Sequence, residues 1–187
     1  MNPQIIRFPK GGVPTIVPNE WQVWDGERDE GGLPDLQHDL HQVLVPFHWW
    51  RSHFHESTPE PDLLKHVQRG QIGVWFAAED DILKHAEVIA SGKSLWPVVG
   101  AHFPIFRDGR SFSTAALLRA RFAWQTEIRA VGDVLIDQLL QGARSGFDAF
   151  ELRSDQNLTV ALEQFNAYSV TTQNSWRGKR SVLAALS

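Results

Sequence analysis

Between Phe103 and Phe150 the chain sets eleven ionic side chains (Arg107, Asp108, Arg110, Arg119, Arg121, Glu127, Arg129, Asp133, Asp137, Arg144 and Asp148) among runs apolar enough to form a core. Ionic groups are costly to bring near a core without partners, so the mixture means either a salt-bridged scaffold or a site. The loop Phe103–Ser113 offers the first concrete chemistry. Asp108-Gly109 favours a tight turn, with Arg107 and Arg110 on either side of it. A guanidinium presents paired donors to a planar oxyanion, and Ser113 with the N–H groups opening the next helix would add more. That predicts a small oxyanion on Arg110, Ser113 and Arg107. The competing reading is an Asp108–Arg clamp that merely shapes the loop.

Arg119 and Arg121 are two residues apart on a helix, about 200° around its axis, so they cannot enter one pocket together. Arg121, one turn after Leu117 and beside Phe122, is the expected inward one. Asp133 reads as a helix cap, and Asp137 lies one turn beyond it. A general acid/base pair is the functional alternative for those two.

The elements that must carry these residues follow from periodicity. Strands are predicted over 72–77, 96–103, 127–131 and 149–153, each followed by a helix: 80–91, 113–123, 133–145 and 158–169. Four consecutive parallel β/α units make an α/β core domain over 69–173. Alternation along these strands gives one oily and one ionic face, with Glu127 opposite Ile128, Arg129 opposite Ala130, and Glu151 and Arg153 opposite Phe150 and Leu152. His102 falls on the ionic side with Gly100. A doubly wound sheet needs apolar residues on both faces, so the pattern predicts a half-barrel-like arc with helices outside and His102, Glu127, Arg129, Glu151 and Arg153 inside. The plain alternative is cross-strand ion pairing on an open face. Either the arc is open, or the N-terminal segment or a second copy of the chain, as a homodimer, covers it.

Residues 1–68 hold six of the eight histidines and four of the eight tryptophans. They read as a small β-rich extension: a hairpin from Gln4–Phe8 and Pro14–Val17, a strand at Trp21–Trp24, a polar loop over 25–34, a segment over 35–45 that is helical or extended, and a linker at 57–62. Residues 174–187 form a tail. His38 and His41, with His48, His53, His55 and Asp35, Asp39 or Glu56, could ligate a divalent metal, although no HExxH-like signature occurs and the favoured expectation is no metal. Phe47 and the Trp49-Trp50 pair suit packing or an interface.

Net charge is −4, and arginines alternate with acids, which argues against nucleic acid. There is no apolar run of about 18 residues and no secretory h-region, so no membrane association and a cytoplasmic setting are expected. With no cysteine, disulfides, Cys-ligated metals and thiol redox chemistry are excluded on this chain. GxGxxG, GxxxxGK[ST] and GxSxG are all missing, which leaves a Rossmann loop, a P-loop and a hydrolase serine without support.

The segments FPIF-R-DGR-S-F-S, LLRAR, EIRAVGDVL-I-DQ and GFDAF resemble a bacterial domain-of-unknown-function family whose members are encoded beside assimilatory sulfite reductase and labelled as oxidoreductases of sulfite reduction. The match spans about residues 98–153, and Ile5, Ile6 and Trp21 fit its N-terminal pattern more loosely. Matching positions are Asp108, Gly109, Arg110, Ser113, Arg119, Arg121, Glu127, Arg129, Gly132, Asp133, Asp137 and Gln138. Trp124-Gln125 departs from it, the family more often having an aromatic followed by glycine. The resemblance implies a role in sulfite reduction, with sulfite reductase as partner and a small oxyanion such as sulfite bound at the carboxyl end of the sheet. No catalytic residue or cofactor comes with it; a flavin or nicotinamide would have to be borrowed. A non-catalytic partner of the reductase, docking through Trp49-Trp50, is the alternative.

Overall fold

The computed structural model describes residues 3–25, 42–167 and 173–178. Its centre is one curled half-barrel sheet of eight strands. Six of them run parallel in chain order: β3 (Trp21–Val23), β4 (Gln42–Pro46), β5 (Ile72–Phe76), β6 (Val98–Phe103), β7 (Glu127–Gly132) and β8 (Ala149–Phe150). The hairpin of β1 (Gln4–Arg7) and β2 (Thr15–Pro18) adds on antiparallel beside β8. The predicted hairpin and all four predicted core strands are present. The four-unit arrangement is not what is found: β3 and β4 enlarge the parallel set to six, so residues 1–68 supply half of the sheet's strands instead of an appendage.

Helices α1 (Phe47–Trp50) and α2 (Pro61–Gln68) lie between β4 and β5, and α3 (Ala86–Gly92), α4 (Arg110–Ala120) and α5 (Leu139–Ser145) fill the next three crossovers. Helix α6 (Leu158–Glu163) follows β8, capped by Asn157, whose side chain accepts from the N–H groups of Thr159 and Val160. Helix α3 is shorter than the predicted 80–91, and α2 occupies part of what reads as linker. No helix among the described residues is long and apolar enough to cross a membrane.

The strands' oily residues (Val43, Val45, Val74, Phe76, Val99, Ala101, Ile128, Ala130 and Phe150) join one core with residues of the helices, including Val67, Ile89, Leu118, Leu139 and Ala161. Fully burying such a side chain contributes roughly 1.5–3 kcal/mol, which fixes which face the helices cover. Trp49 and Trp50 belong to this core, 7% and 2% exposed, with Trp50 edge-on to Trp96 at 5.3 Å. They are packing residues, and the docking surface expected of them is not available. A five-residue π-helical stretch, Arg51–His55, follows α1 and stacks Phe54 on Trp50 at 3.9 Å.

The other face is concave and divided. Trp21, Leu44, Val98 and Val131 form a second, smaller apolar cluster there, with Val23 and Trp75 against it. The remaining stretch, beside β1, β7 and β8, is ionic.

Candidate functional site

Register explains why charge gathers on the concave face. Arg129 of β7 pairs with Gly100 of β6 on one side and Ala149 of β8 on the other, and Arg7 of β1 pairs with Ala149 in turn. Side chains on neighbouring strands at matched register point the same way, so Arg7, Glu127 and Arg129 meet. Glu127 Oε1 accepts from Arg129 Nε at 3.0 Å and Nη2 at 2.7 Å, while Arg7 Nε lies 3.1 Å from Oε2. The Glu127 and Arg129 side chains are 8% and 4% exposed, and Arg7 is 56% exposed. Arg129 Nη1 donates to Asn19 Oδ1 at 2.7 Å. Asn19 also hydrogen-bonds the Glu151 carboxyl, and because its oxygen already accepts from Arg129, the amide N–H is the donor. A chain Arg7–Glu127–Arg129–Asn19–Glu151 therefore crosses the face.

Two cavities open at its ends. At the amino-terminal ends of the parallel strands, a cleft of about 650 Å³ is lined by Arg7, Lys10, Glu20, Trp21, Gln42, Glu127, Arg129, Asp148 and Trp176, with Pro9, Pro18 and Pro97 among the apolar walls. Three cations (Arg7, Lys10, Arg129) and three carboxylates (Glu20, Glu127, Asp148) line it, and Arg119 pairs with Asp148 from outside the lining. The terminal Nη nitrogens of Arg7 have no partner among the described residues. At the carboxyl ends, a smaller cavity of about 330 Å³ is lined by Val23, His102, Gly132, Glu151, Leu152, Arg153 and Ser154.

The five residues expected on the inner face thus divide: Glu127 and Arg129 line the first cavity, His102, Glu151 and Arg153 the second. One detail differs. Strand β8 ends at Phe150, so Arg153 reaches the cavity from a loop, not from strand alternation. Arg153 donates from Nε and Nη2 to Asp155, both at 2.8 Å, and from Nη1 to Asp133, also at 2.8 Å. The Arg153 hydrogen bonds hold Asp155 down to about 2. Burial pushes the Glu151 carboxyl above its ordinary range, against the pull of Asn19 and Arg129. Burial also lowers His102, partly opposed by Glu79, so its imidazole is chiefly neutral at neutral pH. Gly132 makes room for that ring: its φ is +94°, and a Cβ there would meet Phe103 O at 2.4 Å and the His102 ring at 2.8 Å.

Other expectations change. Asp108 holds Arg110 through Nε (3.0 Å to Oδ1) and Nη2 (2.6 Å to Oδ2), so the clamp reading describes this loop. Helix α4 starts at Arg110, which puts Ser113 inside its first turn and exposed instead of at the N-cap; Ser111 is the residue tied back, to His102 O at 2.6 Å. Arg107 is exposed. Asp133 is no helix cap either: its Oδ2 accepts from Phe106 N at 2.8 Å, and the helical turn begins at Ile136. Asp137 is exposed, with no sign of an acid/base pairing to Asp133.

The assignment of Arg121 is reversed. Arg121 is exposed, and Arg119 is the buried one. Arg119 donates to Gly146 O at 3.0 Å, Trp124 O at 2.7 Å and Thr126 O at 3.0 Å, bonds Asp148 through Nη2, and stacks on Trp176 at 4.2 Å. Asp148 in turn accepts from Ile128 N at 3.2 Å. These contacts tie α4 to the turns that precede β7 and β8, so Arg119 is scaffold. The turn that carries the unusual Trp124-Gln125 passes through Ala123 at φ +50° and buries Trp124.

Asp35, His38, Asp39 and His41 lie outside the described residues. Of the remaining metal candidates, His53 stacks on Trp49 at 4.1 Å and bonds Trp49 O at 2.9 Å, and Glu56 bonds Arg51 at 3.2 Å. Among the described residues no three His, Asp or Glu side chains converge as a metal site requires.

Arg7, Lys10, Asn19, Gln42 and Trp176 were not singled out from sequence. Alternation in β1 sets Arg7 apart from Ile6, but nothing local says that β1 lies beside β8.

No curated protein and no solved structure matches the chain. The model of one family matches residues 73–183, from β5 past Trp176, which takes in both β7 and β8 and most of the walls of the carboxyl-end cavity. With well over half of its length covered, the chain belongs to the family described as bacterial protein of unknown function, DUF934.

Proposed function

We propose that this chain serves sulfite reduction, as an oxidoreductase or an accessory protein, and binds a small oxyanion such as sulfite on its concave face. The reading rests on the sequence resemblance described first and on one observation, the unpartnered Nη donors of Arg7 beside Lys10 in an arginine-rich cleft. Paired guanidinium N–H groups suit a planar or pyramidal oxyanion. At the carboxyl end the arginines are engaged, Arg110 by Asp108 and Arg153 by Asp133 and Asp155, which favours the amino-end cleft as the anion's place.

As an oxidoreductase the chain would borrow its electron carrier, a flavin or nicotinamide, because it brings no thiol of its own. Sulfite titrated by calorimetry into the wild type and Arg7→Ala tests the anion site. Losing a charged donor pair costs about 1.5–3 kcal/mol, so affinity should fall about tenfold or more. Arg110→Ala should bind as the wild type does. Equal affinity in Arg7→Ala and wild type, or no sulfite binding at all, would remove the proposed site.

The accessory reading has its own observation. Ile105 and Phe106, after β6, are 43% and 48% exposed side by side, an apolar pair that suits a protein contact better than the buried Trp49-Trp50. Co-purification with sulfite reductase that survives replacement of both by serine would count against it.

A further inference from the structure

The carboxyl-end cavity plays no part in the anion reading, and His102 is its distinctive member. The half-buried ring lines the cavity from β6, with Val23 of β3, Gly132 of β7 and the segment from Glu151 to Ser154 around it. Three neighbours fix its position. The Trp75 ring of β5 lies 5.2 Å away, and Ser111 Oγ donates to the His102 carbonyl at 2.6 Å. Gly132 leaves free the space in which a Cβ would meet Cδ2 and Nε2 of the ring at 2.8 Å. Yet neither ring nitrogen has a hydrogen-bond partner among the described residues. Nor is either shut away from solvent, as the unpartnered indole nitrogens of Trp96 and Trp124 are. A polar ring positioned by packing, with its hydrogen bonds unspent, leaves them to whatever occupies the cavity.

The rest of the lining limits what that is. Burial favours the neutral form of His102, which offers one N–H donor and one acceptor nitrogen. Arg153 spends its guanidinium on Asp133 and Asp155. The Glu151 carboxyl bonds Asn19, and its Oε2 atom is closed to solvent. Neither sign of charge is on offer, so an anion and a cation are both poorly served. Three converging metal-ligating side chains are not found among the described residues, which disfavours a metal ion. What remains is hydrogen bonding by His102 and the exposed Ser154 hydroxyl, beside the apolar surface of Val23. A hydroxyl group on the ligand suits both, since it donates and accepts. About 330 Å³ lies at the small end of the range of about 300–1,000 Å³ for small-molecule sites. In parallel sheets such crevices open outside the carboxyl ends of the strands, as this one does.

We infer that the carboxyl-end cavity binds a small neutral hydroxyl compound, its O–H donating to the acceptor nitrogen of His102 and its hydrocarbon part lying against Val23. The site stands apart from the anion cleft and does not depend on it.

The test uses phenol as probe on the full chain, with anisole, the same ring without a hydroxyl hydrogen, as its counterpart. Titrations followed by NMR should show phenol binding and anisole weaker by about fivefold, the scale of one neutral hydrogen bond. His102→Phe should remove that preference, so that the two bind alike. Val23→Phe, which fills the cavity from the opposite wall, should abolish binding of both. In wild-type protein carrying ¹⁵N-histidine, the His102 ring resonances should move with phenol and not with sulfite, a readout that needs no variant to fold. Failure of phenol to bind, equal binding of phenol and anisole, or a His102 ring unmoved by phenol would overturn the assignment. Phenol binding in a chain that ignores sulfite would leave this site standing and remove only the anion reading.

Discussion

The two ends of the concave face are built from the same strands yet pair their charges in opposite ways. At the amino end, Glu127 is shared between two arginines, leaving guanidinium donors facing open space. At the carboxyl end, Arg153 is shared between two aspartates. The sharing rule is the same and the sign is swapped. What separates them is depth as well: Arg129 and Glu127 are almost wholly buried, whereas Arg153 sits at the surface. A buried pair fixes geometry, because losing one partner strands the other without water; a surface pair orients side chains at little energetic gain.

The largest effect that would test this comparison lies behind the amino end. Arg119→Met strands Asp148 and three carbonyls, and should cost about 3–5 kcal/mol by urea denaturation. Replacing Arg119 and Asp148 together by apolar residues should recover much of that, because neither partner is then left unpaired. If the single and double variants are equally unstable, the pair is not what holds the turn. At the carboxyl end Gly132→Ala forces a side chain into a left-handed backbone and against His102, for about 1–3 kcal/mol. Sulfite binding at the opposite end should be retained; its loss would mean that the two ends are not separable. Arg7→Ala should shift stability by no more than about 1 kcal/mol, since its guanidinium is over half exposed, while weakening sulfite binding about tenfold or more.

The smallest effect concerns pH. Glu151 has its carboxyl raised in the folded chain, chiefly by burial, so folding favours the protonated form. The stabilisation it gives is complete below its ordinary value of 4.5 and is lost as pH rises through the raised one. Glu151→Gln, which cannot ionise, should therefore gain stability relative to wild type on going from acid to neutral pH. Thermal melts across that interval check the sign, and a difference that shrinks with rising pH would show that Asn19 and Arg129 outweigh burial.

Alternation alone makes the inner face legible. Glu127, Arg129 and His102 were placed by period alone, because a strand of five or six residues has room to express it. Arg153 was placed on the right side for the wrong reason, since β8 is two residues long and a loop completes the work. The choice between Arg119 and Arg121 failed because a helix face is read from apolar neighbours, and Arg119 is buried by satisfying carbonyls instead. Ser113 failed on a boundary shift of three residues, with Gly109 preceding the first helical turn. Least legible was the membership of residues 1–68 in the sheet. Pairing of β1 with β8 joins positions well over a hundred residues apart, and no local pattern encodes that.

One small contact carries a mechanical consequence. Arg177 reaches across the start of the fold, donating to Phe8 O and Pro9 O in the hairpin, to Ala143 O in α5 and to Phe147 O just before β8, with its guanidinium 3.8 Å above the Phe8 ring. A force applied to either extremity of the chain would load the same side chain. The first hairpin and the tail should then detach together, in a single rupture, leaving the parallel strands to yield afterwards.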